Sequence, residues 1–317
     1  MGTPGRIITL GLTPAWDMTC RGSDLAWGAH PMLEQQCLCP AGKALNISLA
    51  LAWLGQDSVA TGLWGQEDYA QMQHQLRQIA PQIRLGMTAV PGRTRINVTV
   101  LDQARSQELH LRCPDTLHSP KALRTLSASL KRCMRPHDTC ILAGALPAAD
   151  LTEAMLELCQ RCVSSAHTRL VLDGHGPMFK TLVDTGGICL IKPNVAELNE
   201  LLGRPIRNTA PCLARAAREL LDRVEMVMIS RGKLGAVLVT RNSAWQGRCV
   251  NSHQVCSTVG CGDFLLAGFV QALHRRARMH TALSQAIKVA SARAWGWYGQ
   301  QTWPSARRQI KVEMQGL

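Results

Sequence analysis

The chain has 317 residues, 46% of them hydrophobic, which is enough for a substantial core in one large domain or two small ones. A formal charge of +13 favours anionic partners, but the 35 lysines and arginines are scattered, without a basic run or a nucleic-acid-reading motif. Because no apolar stretch approaches the length of a membrane span, we expect a globular protein that binds neither nucleic acid nor membrane.

The cysteine pattern indicates a reducing compartment. The chain has 13 cysteines, an odd number, and it begins without an apolar signal segment, so we expect a cytoplasmic location rather than a secreted disulfide framework. Cys159 and Cys162 form a C-x-x-C pair inside a helical pattern, while Cys37 and Cys39 are too close in sequence to chelate zinc. Buried or incidental thiols are the favoured interpretation.

The N-terminal segment predicts a strand, an excursion and a helix. Residues 6–12 form a short β-branched run ended by glycine, which is typical of a buried strand. Residues 18–40 lack helical periodicity and predict short strands that project from the main body. Residues 41–54 then run into an apolar helix closed by Gly55. Lys43, near its start, opposes the helix dipole, so we expect a phosphate or carboxylate in front of it.

Alternation of strand and helix continues beyond residue 57. A strand is predicted over 58–65 and a helix over 67–80, as in a parallel sheet. Residues 94–100 alternate polar and apolar side chains with a period of two, which predicts a half-exposed strand with Arg93 and Arg95 on one side. Two guanidinium groups there could reach one anion, although simple solvation of Arg93 is the alternative.

Further strands are predicted at 139–143, 168–173 and 188–191, and the last of them leads into a helix capped by Asn194. Glu197, at the third helical position, could complete a capping box, serve a ligand, or do both. Strands at 226–230 and 236–240 flank a glycine turn. Its glycines fit a plain hairpin as well as a nucleotide contact.

The stretch from 257 to 268 combines two glycines, an acid and the start of a helix. Gly260 and Gly262 can adopt positive φ and gather backbone N–H groups at a helix N-terminus, which stabilises negative charge. Asp263 beside them could accept a proton from a hydroxyl that attacks phosphorus, although a helix cap is the alternative. A helix from about 281 to 295 and a basic tail complete the chain.

Six sequence blocks, in order, resemble the PfkB (ribokinase-like) carbohydrate kinases. They are TPAWD at 13–17, AGKALN at 41–46, TRINV at 94–98, GALP at 144–147, KPNVAEL at 192–198 and TVGCGD at 258–263. Within that family the blocks are most similar to the sugar-phosphate branch, which contains 1-phosphofructokinases, tagatose-6-phosphate kinases and minor 6-phosphofructokinases.

The resemblance implies an α/β fold of three layers, α/β/α, with a mostly parallel central sheet. It implies one kinase domain over 1–317, with a small β lid inserted from about 14–40 and 88–113. The implied reaction moves the γ-phosphoryl group of ATP, with Mg²⁺, to a hydroxyl of a ketohexose phosphate. Fructose 1-phosphate is the first expectation and tagatose 6-phosphate the second, and the lid could join two copies in a homodimer.

The resemblance also assigns roles to individual residues. Asp263 is the catalytic base. The anion hole is formed by Gly260, Cys261 and Gly262. The substrate-binding residues are Asp17, Gly42, Lys43, Asn46 and Arg95. The ATP-binding residues are Lys192, Asn194, Ser230, Gly232 and Gly235. Glu197 reaches the metal indirectly, through water.

Five positions depart from the family pattern. Ala41 and Ala44 replace glycines and would add methyl groups near the substrate, and Ala145 and His175 replace serines beside the expected cleft. His175 is either an additional phosphate contact or, as we favour, a loop histidine exposed to water. Cys261 replaces alanine, and its place at a helix N-terminus predicts a thiol of depressed pKa that reacts with alkylating reagents, unless it points into the sheet.

Two other functions remain open. The same chemistry could act on an unphosphorylated sugar or a nucleoside. Alternatively, the chain could be a catalytically retired homologue that serves as a binding or regulatory protein, which the five departures would favour. The retained Asp263 argues against retirement, because an acid beside an anion hole is badly placed for a purely structural role.

Overall fold

The computed structural model describes residues 5–105, 107–147, 149–163 and 167–317. Residues 1–4, at the start of the expected kinase domain, lie outside the described part. The strands are β1 Ile7–Gly11, β2 Ala15–Gly22, β3 Gln35–Ala41, β4 Ser58–Gly65, β5 Ile83–Val90, β6 Ile96–Asp102, β7 Gln107–Leu111, β8 Thr139–Ala143, β9 Arg169–Asp173, β10 Ile188–Ile191, β11 Val224–Ser230, β12 Ala236–Thr240, β13 Ala244–Cys249 and β14 Val312–Gly316.

The α-helices lie between these strands. They are α1 Lys43–Trp53, α2 Tyr69–Ile79, α3 Pro120–Cys133, α4 Thr152–Val163, α5 Pro177–Thr185, α6 Val195–Leu202, α7 Ala210–Arg218, α8 Cys261–His274, α9 Met279–Ala294 and α10 Trp303–Gln309. Among the described helices, none is both long and apolar enough to cross a membrane.

The main sheet has the strand order β14-β13-β12-β11-β10-β9-β8-β1-β4-β5. Neighbouring strands from β5 to β11 are parallel, and those from β11 to β14 are antiparallel. Successive strand residues enter opposite cores, because side chains alternate across a strand. On β8, for example, Leu142 belongs to the core that the sheet forms with helices α3 to α7, and Ile141 belongs to the core formed with α1, α8, α9 and α10. This arrangement confirms the expected three-layer fold.

A second sheet of four strands, in the order β3-β2-β6-β7, projects from the carboxyl ends of the parallel strands, and we call it the lid. Its strands β2 and β6 run parallel and its outer pairs antiparallel. The expected second insertion, 88–113, starts too early. Residues 88–90 belong to β5, where they pair with residues 63–65 of β4, and the lid strand begins only at Ile96.

The basic tail forms a helix and a strand, neither of which was predicted from the sequence. Helix α10 buries Trp303 against Trp53, with ring centroids 5.3 Å apart, and β14 closes the edge of the main sheet by pairing with β13. Because β14 lies at the edge of the sheet, about half of its side chains are polar. So short a strand with mixed composition is hard to recognise from the hydrophobic pattern of the sequence.

Candidate active site

A cleft of about 520 Å³ lies between the lid and the carboxyl ends of the parallel strands, a volume that suits a small ligand. Most of the site residues expected from sequence line it: Asp17, Gly42, Lys43, Asn46, Arg95, Lys192, Asn194, Glu197, Ser230, Gly260, Gly262 and Asp263. Cys261, Gly232 and Gly235 are not among its lining residues.

Asp263 lies in the first turn of α8 and is only 4% exposed. The Nδ2 group of Asn46 donates to its Oδ2 at 2.9 Å, which fixes the orientation of the carboxylate. Burial and then the nearby charge of Asp173 raise the pKa of Asp263 to about 6, against the opposing effects of Lys43, Asn46 and Lys192. A carboxylate with such a pKa is ionised at neutral pH and suited to general-base work.

Asp173, at the end of β9, is fully buried between two lysines. The Nζ atoms of Lys43 and Lys192 lie 3.1 and 3.2 Å from its Oδ1. Burial opposes ionisation of Asp173, but the two ammonium groups outweigh it and hold its pKa below the ordinary value. The carboxylate expected in front of Lys43 is therefore supplied by the protein itself, so the position of Lys43 against the helix dipole is not by itself evidence for a ligand.

The glycine turn before α8 has the shape of an anion site. Gly260 adopts a left-handed conformation, with φ 76°, at the N-cap of α8, and α8 starts with the hydrogen bond from the Phe264 N–H to the Gly260 carbonyl. A Cβ at Gly262 would lie 3.3 Å from the Nζ of Lys192, so the missing side chain lets the ammonium group approach the turn. Backbone dipoles and a buried cation thus meet at one point.

Arg293, on α9, lies beneath this turn. Its guanidinium carbon is 5.4 Å from the ring centre of Phe264 and 5.8 Å from that of Tyr298. Its Nε is buried without a hydrogen-bond partner among the described residues. Sequence reasoning missed Arg293, because 30 residues separate it from Asp263 and only the packing of α9 on α8 brings them together.

Cys261 follows Gly260 in the glycine turn. Its N–H donates to the Thr258 carbonyl at 3.3 Å, and its Sγ lies 3.7 Å from the Ser257 carbonyl oxygen. The thiol pKa is raised to about 11, because burial outweighs the lowering effect of Arg293 and Asp263 raises it further. The expectation of a depressed pKa is therefore wrong.

The lid presents polar side chains to the cleft. On β2, Asp17 accepts a 3.1 Å hydrogen bond from the Nδ2 of Asn97. Burial raises the pKa of Asp17, against the opposing effects of Asn97 and Arg95. The Arg95 guanidinium donates to the carbonyls of Pro14 and Cys113, at 3.2 and 3.0 Å, so its position is fixed by backbone.

The expected pair of guanidinium groups on one strand face is only half right. Arg93 is exposed, precedes β6 and does not line the cleft. Arg112, just after β7, lines the cleft instead, as does His110 two residues earlier. Only an alternation of period two along β7 could have indicated His110 and Arg112 in the sequence. That pattern is weak, because β7 is short and fully exposed.

The residues expected to serve ATP and its metal ion divide into two groups. Asn194, expected at the nucleotide, and Glu197, expected at the metal through water, line the cleft and form a reciprocal capping box, with N···O distances of 2.8 and 2.9 Å. Gly232 and Gly235 lie in the turn between β11 and β12. A side chain at Gly235 would collide with the carbonyl of Gly247, so the hairpin explains that glycine.

The departures from the family pattern fall in two places. Ala145 and His175 line the cleft and are exposed, so they are placed to affect what binds there. Ala41 and Ala44 are buried, at 5% and 3% exposure, and line a small cavity that shares Thr13, Gly42 and Lys43 with the cleft. Their methyl groups are not among the surfaces that line the cleft.

The cleft residues fit a hydrated magnesium ion rather than a protein-built metal cage. No group of three or more His, Cys, Asp or Glu side chains in the described part of the chain could hold a metal ion. Glu197 lines the cleft, whereas Asp173 is fully buried behind it and is not among the lining residues. Mg²⁺ bound to a nucleotide commonly keeps several waters and takes only one or two carboxylates from the protein.

Comparison with known proteins gives a consistent match. The model of the pfkB family carbohydrate kinases matches residues 33–295. A 1-phosphofructokinase of Rhodobacter capsulatus is 30% identical over 297 residues, 93% of this chain and 91% of that one. A 1-phosphofructokinase of Vibrio cholerae is 30% identical over 272 residues, 83% and 81% of the two chains.

Solved structures show the same fold. Phosphofructokinase-2 from Escherichia coli in complex with fructose-6-phosphate superposes with a TM-score of 0.87 at 20% identity, over 96% of this chain and 98% of that one. The tetrameric inhibited form of that enzyme gives 0.81 at 21% identity, over 95% and 99%.

Proposed function

Because the chain belongs to the PfkB family of carbohydrate kinases, we propose that its substrate is fructose 1-phosphate, which it phosphorylates with ATP as a single kinase domain. Membership makes it a phosphotransferase that uses ATP, and the relatives named 1-phosphofructokinase favour a sugar phosphate as acceptor. The observation that carries the proposal is the buried Asp263, of pKa about 6, beside a glycine anion turn and below a lid that presents cations.

In the proposed reaction, Asp263 takes the proton of the attacking hydroxyl. The hydroxyl oxygen forms its bond to phosphorus as the bond from phosphorus to the leaving ADP oxygen breaks. Asn46 holds the carboxylate in place through its 2.9 Å hydrogen bond. The Gly260 to Gly262 turn and the adjacent Lys192 ammonium stabilise the charge on the transferring group.

The lid supplies the proposed recognition of the sugar phosphate. Arg95 and Arg112 line the cleft, and a guanidinium group can bind a phosphate through paired N–H donors. Asp17, held by Asn97, is placed to accept hydrogen bonds from sugar hydroxyls. The relatives named 1-phosphofructokinase make fructose 1-phosphate the first choice, with tagatose 6-phosphate next.

Mg²⁺ is proposed to lie with the nucleotide phosphates and to contact Glu197 through water. When bound, it neutralises phosphate charge. One carboxylate oxygen of Glu197 already accepts a hydrogen bond from the Asn194 N–H, which fixes its position at the cleft. Asn194 and Ser230, which line the same end, are the proposed ATP contacts together with Lys192.

A homodimer through the lid is proposed from its exposed apolar side chains. Trp27 and Met32, in the loop between β2 and β3, are 96% and 90% exposed, and Leu111 on β7 is 48% exposed. Large apolar side chains exposed on a surface commonly mark an interface. We expect light scattering to give a dimer for the parent protein and a monomer for Trp27→Ser combined with Met32→Ser. A monomeric parent would reject this assembly.

The substrate proposal is tested with purified protein, ATP, Mg²⁺ and a panel of acceptors, followed through ADP release. The panel contains fructose 1-phosphate, fructose 6-phosphate, tagatose 6-phosphate, fructose and adenosine. We expect the highest kcat/KM for fructose 1-phosphate, at least about 10²-fold above that for fructose, since a phosphate bound by charged donors contributes a few kcal/mol. Preference for a neutral acceptor would reject the proposal, and ATP binding without turnover of any acceptor would favour the retired-kinase alternative.

A further inference from the structure

A buried carboxylate, Asp68, lies where the lid joins the main sheet. It follows β4 by three residues, in a short 3₁₀ turn, and is 4% exposed. Three N–H groups donate to it: the indoles of Trp16 and Trp64, the second at 3.0 Å, and the backbone of Thr94 at 2.9 Å. Asp68 is not among the site residues expected from the sequence.

The carboxylate is held by neutral donors alone. No ion pair in the described part of the chain includes Asp68. Burying an unpaired charge is costly unless its oxygen atoms are well hydrogen-bonded, so each of the three donors is strongly bound. A polar cluster of this kind is rigid, because releasing any donor leaves part of a buried charge unsatisfied.

The three donors belong to separate segments that enter the lid or the main sheet. Trp16 is next to Asp17 on β2, and Thr94 is next to Arg95, just before β6. The Trp16 N–H donates to the Arg95 carbonyl at 2.8 Å, and the Thr94 hydroxyl accepts a hydrogen bond from the Gly65 N–H at 2.9 Å. The Asp68 carboxylate thus connects the two segments through which the chain enters the lid, at Trp16 and at Thr94, to the end of β4.

We infer that Asp68 is a positioning residue, which fixes Asp17 and Arg95 over the cleft by joining the base of the lid to the end of β4. We call the three hydrogen bonds that Asp68 accepts from Trp16, Trp64 and Thr94 the latch. The inference rests on the proposed function in one respect, namely that Asp17 and Arg95 bind the sugar phosphate. Asp68 does not line the cleft and touches no reacting group. Its effect therefore passes through Trp16 and Thr94.

The latch requires a carboxylate rather than an amide. Trp16 and Trp64 both donate to Oδ2, and Thr94 donates to Oδ1, so both oxygens act as acceptors. An asparagine of the same size offers one acceptor oxygen and one N–H₂ group, and the N–H₂ group would face a donor. Asp68→Asn consequently breaks one side of the latch with almost no change in volume.

The kinetic test compares Asp68→Asn with a matched variant, Asp138→Asn. Asp138 is also buried, at 1% exposure, and accepts from the backbone N–H groups of Arg6 and Arg135, but it lies before β8 at the opposite end of the sheet. Asp138 differs from Asp68 in pairing also with the Arg6 guanidinium, at 2.7 Å, so its loss should cost at least as much stability. Both variants should melt several degrees below the parent. Only Asp68→Asn should raise KM for fructose 1-phosphate, by about tenfold or more, with KM for ATP within about twofold.

Hydrogen exchange on the ligand-free protein separates the latch from the substrate proposal. The Thr94 amide and the amides of residues 15–20 should exchange at least about tenfold faster in Asp68→Asn and at the parent rate in Asp138→Asn. If the parent phosphorylates no sugar phosphate, the proposed function fails while this result still supports or rejects the latch. Should Asp68→Asn not fold, Trp64→Phe removes a single donor and should shift the same amides less.

If Asp68→Asn folds and its Thr94 amide and the amides of residues 15–20 exchange hydrogen at the parent rate, the inference is overturned. Equal changes of both KM values in Asp68→Asn and Asp138→Asn would overturn it as well, because a general loss of stability would then explain the result.

Discussion

The two sides of the cleft are built by different physical means. The sheet side is a buried ionic cluster in which Lys43 and Lys192 pair with Asp173 and their charges also act on Asp263. The lid side holds Asp17 and Arg95 through neutral partners, an amide and backbone carbonyls. Because buried charges interact strongly, the sheet side can set the pKa of Asp263. The lid side can set the shape of the cleft and its affinity for the sugar phosphate.

This contrast predicts that substitutions on the sheet side act mainly on kcat and those on the lid act mainly on KM for the sugar phosphate. A variant that breaks the division would show that the two sides work as one unit. The expected effects are ordered below from the largest to the smallest.

Asp263→Asn should lower kcat by about 10² or more, because it removes the proton acceptor while keeping the shape and the contact with Asn46. Steady-state kinetics and a nucleotide-binding titration measure this. ATP affinity should stay within about twofold, and the melting temperature at pH 7 should not fall, since the ionised form of a carboxyl with a raised pKa destabilises the folded state. Equal losses of stability and activity would instead indicate a helix cap only.

Arg112→Ala should raise KM for fructose 1-phosphate by about tenfold, because it removes a charge-assisted phosphate contact at the edge of the cleft. Arg93→Ala is the matched control, since Arg93 has the same charge but lies outside the cleft. Its KM should not change. A similar rise for both variants would mean that the overall positive charge, rather than a built site, attracts the substrate.

Asp173→Asn should move the acid limb of the kcat/KM profile to lower pH. The negative charge of Asp173 helps to raise the pKa of Asp263, and both lysines that lower it remain in the variant. The phosphate of the substrate also titrates near pH 6, so only a shift between parent and variant reports on the protein. An acid limb at the same pH in both proteins would separate Asp173 from the titration of the base.

Cys261→Ala should change kcat and both KM values by less than about twofold. The thiol faces the Ser257 carbonyl, and burial raises its pKa to about 11, so little thiolate forms at neutral pH. Alkylation followed by peptide mass mapping should find Cys261 unmodified while exposed thiols such as Cys37 react. Rapid inactivation through Cys261 would restore the reactive-thiol hypothesis.

Much of the sheet side could be predicted from the sequence. Gly42, Lys43, Asn46, Lys192 and Asp263 lie in blocks at strand ends or helix starts, and parallel strands bring such positions to one edge of a sheet. The sequence pattern could not show that Lys43 and Lys192 share Asp173, because that pairing joins segments 130 residues apart. Nor could it orient Cys261, whose inward rotation is decided by packing.

The lid side was predicted less well. The second insertion of the lid starts later than predicted, because β5 and β6 are both extended and their sequences do not mark where one sheet ends. Only the pairing with β4 shows that residues 88–90 belong to the main sheet. Arg112 follows a short exposed strand with a weak pattern. Asp68 gave no signal, because its importance arises from three donors that meet only in the folded chain.

The most direct test of the account is a single-turnover measurement of phosphoryl transfer from γ-labelled ATP to fructose 1-phosphate, with enzyme in excess and rapid quenching. The parent should move the label to the sugar, and Asp263→Asn should do so at least about 10²-fold more slowly at the same nucleotide occupancy. Transfer by Asp263→Asn at the parent rate would contradict the assignment of the base. Absence of labelled sugar with the parent would contradict the assignment of the substrate.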